Sequence, residues 1–114
     1  MKNENPVIHK IFAQISSQYS DRVCLQIKKG PAWERWTYGQ TEDLSLRIGA
    51  FLIKENFKKG DFVGLCLENR PEWAIIYLGI MAAGLTCVPL DPQLTEQEIE
   101  NLLNDCKAKI IFVS

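Results

Sequence analysis

Between Asp61 and Val113 three short apolar runs alternate with two helical stretches, and this order limits the architecture more than any other feature. The runs are Phe-Val-Gly-Leu-Cys-Leu at 62–67, Leu-Thr-Cys-Val-Pro-Leu at 85–90 and Ile-Ile-Phe-Val at 110–113. They are nearly continuous rather than alternating, which suits a sheet covered on both faces. Asn69 and Pro71 suit a helix start. The stretch from Glu72 to Ala83 is apolar almost all round, as a buried helix is, and Gly84 can end it in a left-handed conformation. Thr95-Glu96-Gln97-Glu98 matches a capping box. It opens a second helix with the stripe Ile99, Leu102, Leu103 and Cys106, and with Lys107 and Lys109 at its carboxyl end. The order β-α-β-α-β predicts a parallel sheet with right-handed crossovers, layered with helices.

The first half reads differently. Ile8, Ile11, Phe12 and Ile15 recur at helical spacing behind Pro6, which fits a first helical turn. His9 stands alone on this helix and reads as a surface residue. Val23, Leu25 and Ile27 alternate with polar neighbours, Lys29-Gly30-Pro31 supplies a turn, and Trp33–Thr37 returns, so a β-hairpin is expected. Thr37-Tyr38-Gly39-Gln40 is another capping box. The helix it opens is expected to bury Leu44, Ile48, Phe51 and Leu52, and to close at Lys58, Lys59 and Gly60.

Trp73 to Leu90 carries no charge and approaches the length of a membrane span, about 20 residues. Its Gly79, Gly84 and Pro89, and its β-like second half, favour a buried helix followed by a buried strand. Met1 to Asn5 is polar and lacks an apolar signal core, so a cytoplasmic protein is expected. Of the 114 residues 46% are hydrophobic and 24% charged, and the formal net charge is −1, which points away from nucleic-acid and acidic-membrane surfaces. The four cysteines, at 24, 66, 87 and 106, lack the spacing of a zinc site or a redox dithiol. They read as small buried hydrophobes in a reducing compartment, with no metal site.

Three segments, in order, resemble the adenylate-forming (AMP-binding) superfamily. Trp36-Thr37-Tyr38-Gly39-Gln40 is similar to its early Thr-Tyr-x-Glu-Leu element, with Gln40 for Glu and Thr41 for Leu. Lys59-Gly60-Asp61-Phe62-Val63-Gly64-Leu65, followed by Glu68-Asn69-Arg70-Pro71-Glu72-Trp73, resembles the superfamily too, and Asn69-Arg70-Pro71-Glu72-Trp73 in particular resembles the acyl-CoA synthetase or long-chain fatty-acid–CoA ligase branch. The segment from Gly79 to Pro92 is similar to the family's Ala-Gly-x-x-x-Val-Pro-Leu-x-Pro element. The likeness covers about residues 7 to 113.

The resemblance implies that residues 1–114 are one partial domain, the N-terminal portion of a large adenylating domain. It implies a parent ligase that joins a fatty acid or other carboxylate to CoA through an acyl-adenylate, consuming ATP and using Mg-ATP and CoA as its cofactors. The alternatives are an adenylation domain that loads a carrier protein and a non-catalytic binding module of the same fold. In family members the Val88–Pro92 loop lies near the channel for the CoA nucleotide, which makes Leu90 and Asp91 candidate cofactor-binding residues. Asp91 can instead shape the turn. For Asn69–Trp73 a helix start with Trp73 packed inside is favoured over a direct substrate role.

The chemistry itself is expected elsewhere. The sequence has no Gly-rich Ser/Thr loop, no G-x-x-x-x-G-K-[ST] motif and no dinucleotide fingerprint after the 62–67 run. These residues alone are therefore expected neither to adenylate nor to bind ATP or CoA, and no catalytic residue is assigned among them. A strand apolar on both faces at 110–113 normally sits inside a sheet. The chain thus reads as cut short, and any self-association through that edge is expected to be a product of the truncation.

Overall fold

The computed structural model describes residues 7–108 and 110–113. The roles expected for Pro6 and Lys109 lie outside the described residues. The elements run α1 (Val7–Gln18), β1 (Val23–Lys29), β2 (Ala32–Thr37), α2 (Tyr38–Lys54), β3 (Phe62–Cys66), α3 (Pro71–Ala82), β4 (Thr86–Pro89), α4 (Glu96–Cys106) and β5 (Ile110–Val113). The α/β class expected from the sequence is what the chain adopts.

The hairpin β1–β2 is antiparallel and turns tightly, with Lys29 opposite Ala32 and Gly30 at φ 61°. Its register slips between Val23 and Leu25, a bulge at Cys24 that the alternating pattern does not reveal. Glu34 ties the hairpin's surface together: its carboxylate pairs with Lys29 and accepts from Trp36 Nε1 at 3.0 Å. The hydrogen-bonded Lys29 ammonium holds that carboxyl below its usual range.

The second sheet has the order β4-β3-β5, all parallel, with Val63 opposite both Cys87 and Ile110. Strand alternation aims Val63 at a core formed with Leu52, Ile80 and Leu85, on the side of α2 and α3. Gly64 points the other way, where an added Cβ would lie 2.9 Å from Leu103 Cδ2 of α4. The two crossover helices therefore cover opposite faces of one sheet, with β3 in the middle.

The buried face of α2 keeps Leu52 and Ile48 of the expected four but is otherwise made of different residues. Thr41, Ser45, Gly49 and Leu52 are buried, whereas Phe51 is 49% exposed and Leu44 only half-buried. The reason is a close helix crossing. A Cβ on Gly49 would sit 2.9 Å from the Gly79 carbonyl oxygen, and one on Gly79 would sit 2.6 Å from the Ser45 carbonyl oxygen. Backbones this near leave no room for large side chains, so small residues make the contact.

Both expected capping boxes form. Thr37 Oγ1 accepts from the Gln40 amide at 3.1 Å while Gln40 Oε1 accepts from the Thr37 amide at 2.9 Å. Thr95 and Glu98 repeat the arrangement at 3.1 and 2.9 Å. On α3 the cap is Arg70 rather than Asn69; it offers no side-chain hydrogen bond, and Pro71 takes the first helical position.

Helices α2, α3 and α4 end alike, on a left-handed residue. Gly84 at φ 78° follows α3, with Leu85 N donating to Ile80 O and Gly84 N to Met81 O. After α2 the same pair of bonds runs from Phe57 to Leu52 and from Asn56 to Ile53, with Asn56 at φ 71°. That helix thus stops at Lys54, short of the expected Lys58–Gly60, because Phe57 turns back to pack against the core. Lys107, at φ 60°, closes α4.

His9 is half-buried rather than on the surface, and its Nδ1 is shielded from solvent without a hydrogen-bond partner among the described residues. Trp73–Leu90 divides into helix and strand as expected, and among the described residues no helix is long and apolar enough to cross a membrane.

Candidate functional site

The chain leaves β3 for α3 on one face and leaves β4 for α4 on the other, so the two loops after these strands diverge. In open α/β sheets the crevice between such loops, at the strands' carboxyl ends, is where ligands bind. A cleft of about 550 Å³ lies there, lined by Leu67 and Asn69 after β3, Trp73 on α3, and Pro89, Leu90, Asp91 and Pro92 after β4.

Each wall has a local cause. The Leu90 amide donates to the Leu65 carbonyl at 2.8 Å, extending the β3–β4 pairing by one bond, and its side chain is buried. Asp91 leaves the sheet and shapes the next turn: Oδ1 accepts from the Gln93 amide at 2.9 Å, and its carbonyl accepts from Leu94 N at 3.0 Å. Trp73 stacks on Tyr77 one helical turn later, with ring centroids 5.3 Å apart and planes 11° from parallel, so its indole is held in place. Arg70 borders a smaller adjoining cavity of about 230 Å³ and pairs with Glu68 at 3.0 Å.

Among the lining residues Asp91 alone is charged, and its carboxylate is exposed. The cleft is therefore apolar-walled with a single anion at its rim. Such a surface suits an apolar or neutral polar group and disfavours a phosphate, which would meet like charge with no cation among the lining residues. Nor do the described residues group three or more His, Cys, Asp or Glu around a common point. The residues lining this cleft do not fit the triphosphate of Mg-ATP.

The two sequence candidates, Leu90 and Asp91, thus lie side by side on this cleft: one as buried wall, the other as turn former with an outward carboxylate. Asn69 and Trp73, assigned from sequence to a helix start and its packing, line it too. The signal that could have found them is the divergence of the two crossovers, since it places the residues after β3 opposite those after β4.

A model of AMP-binding enzymes matches residues 12–114. The chain belongs to that family. A plipastatin synthase of Bacillus subtilis (strain 168) is 32% identical over 111 residues, 97% of this chain and 4% of that protein. Human long-chain-fatty-acid–CoA ligase 1 is 36% identical over 93 residues, 79% of this chain and 13% of the ligase. The Klebsiella oxytoca NpsA N-terminal subdomain, solved in complex with 3-hydroxyanthranilyl-AMSN, superimposes with a TM-score of 0.82 at 27% identity. That match covers 93% of this chain and 26% of the NpsA chain. The chain therefore spans a small part of the curated relatives and about a quarter of the solved one. The family is adenylate-forming, and its members include ligases.

Proposed function

We propose that these residues are the front portion of the large adenylating domain of an ATP-dependent carboxylate–CoA ligase, with the phosphate-binding elements outside them. The observation that carries this reading is the family match over residues 12–114, joined to a cleft whose walls suit no phosphate. In the complete enzyme the carboxylate attacks the α-phosphate of ATP, pyrophosphate leaves, and the acyl group passes from AMP to the CoA thiol. The acyl donor we assign is a fatty acid or a similar apolar carboxylate; the likeness to the human ligase supports it. We place Leu90 and Asp91 beside the path of the CoA nucleotide, facing its uncharged parts, with Leu90 as wall and Asp91 as the residue that holds the loop.

A second reading has comparable support: an adenylation domain that loads a carrier protein, favoured by the likeness to plipastatin synthase along nearly the whole chain. The complete gene product containing these residues decides between them. Carboxylate-dependent exchange of labelled pyrophosphate into ATP is expected, followed by transfer of the acyl group to CoA. Transfer only to a phosphopantetheinylated carrier protein would select the second reading, and absence of exchange with every carboxylate offered would refute both. Titration calorimetry of residues 1–114 with Mg-ATP, and separately with CoA, is expected to give no saturable heat. Saturable ATP binding would place a nucleotide site within these residues and overturn the assignment.

A further inference from the structure

We draw no further inference here: the strongest candidate, the apolar groove of about 620 Å³ between α4 and the outer edge of β5, carries nothing, because nothing in the structure shows what covers it.

Discussion

At the scale of single residues, the tightest constraint is the approach of Gly49 and Gly79. The methyl of Gly79→Ala would meet the Ser45 carbonyl oxygen at 2.6 Å and Ile48 Cβ at 3.0 Å, and neither is a flexible side-chain end. The helices must separate to admit it, so we expect a loss of about 2 kcal/mol, read as a lower urea midpoint with an unchanged slope. An unchanged midpoint would mean that the crossing is looser than described. Gly64→Ala is a useful contrast, since its first neighbour is the movable Leu103 Cδ2. Cysteine chemistry is set by burial as well. Burial pushes the Cys87 thiol up to about 11 from an ordinary value of 9.0, and it raises Cys24 also. The folded state thus keeps a proton on Cys87 that the unfolded chain releases, and stability must fall as pH rises through the interval from 9.0 to about 11. Unfolding midpoints taken across that interval should decline, and Cys87→Ala should flatten the decline; an equal slope in the variant would assign the effect elsewhere. Of the four cysteines, expected to be buried, Cys66 is, while Cys24, Cys87 and Cys106 are only half-buried.

At the scale of elements, the two capping boxes are chemically alike but sit on helices of different standing. α2 is pinned to α3 and contributes Leu52 to the core, whereas α4 buries no residue completely. Thr37→Ala should therefore lower global stability by about 1 kcal/mol, as a lost N-cap usually does. Thr95→Ala should chiefly speed amide exchange within α4 while moving the global midpoint less. Equal global losses from both variants would show that α4 is as integral as α2. The sequence announces these starts because a hydroxyl three residues before a Gln or Glu is a local signal, complete in four residues. It announces the end of α3 for the same reason, through Gly84. The end of α4 falls at Lys107, where the sequence puts it, although a lysine does not announce the left-handed conformation; the end of α2 at Asn56 is not anticipated from the sequence. The face of α2 is legible in Leu52 and Ile48, and the rest of it escapes sequence reading on physical grounds. Periodicity weighs apolar bulk and so selects Phe51 and Leu44, but a crossing at backbone contact selects small residues, and Thr41, Ser45 and Gly49 carry no hydrophobic signal.

At the scale of the whole molecule, the two sides of the parallel sheet are unequal. One is sealed by α3 with α2 over it, around Leu52, Val63, Ile80 and Leu85. The other carries α4 alone, and Leu102 and Val113 remain 43% and 62% exposed. Amide hydrogen exchange should follow this division, slowest in β3, α3 and the middle of α2 and fastest in α4 and β5. Uniform protection across both sides would contradict it. The candidate site follows the same division of legibility. That Leu90 and Asp91 stand at the carboxyl end of a strand is local information, readable from the apolar run before them. The pairing of that loop with Asn69 and Trp73 depends on strand order, and the order β4-β3-β5 with crossovers on opposite faces is a long-range property that no single segment contains.

The Gly49–Gly79 contact also sets the compliance of the cleft. Trp73 stands at the head of a helix locked at backbone distance to a second helix, so that wall behaves as a fixed post. Leu90 is itself tied to β3 through the Leu65 carbonyl, and only beyond it do Asp91 and Pro92 lead towards α4, which buries no residue completely. The cleft is thus backed more firmly on its tryptophan side, and a guest too wide for it should displace Asp91 and Pro92 before it displaces Trp73.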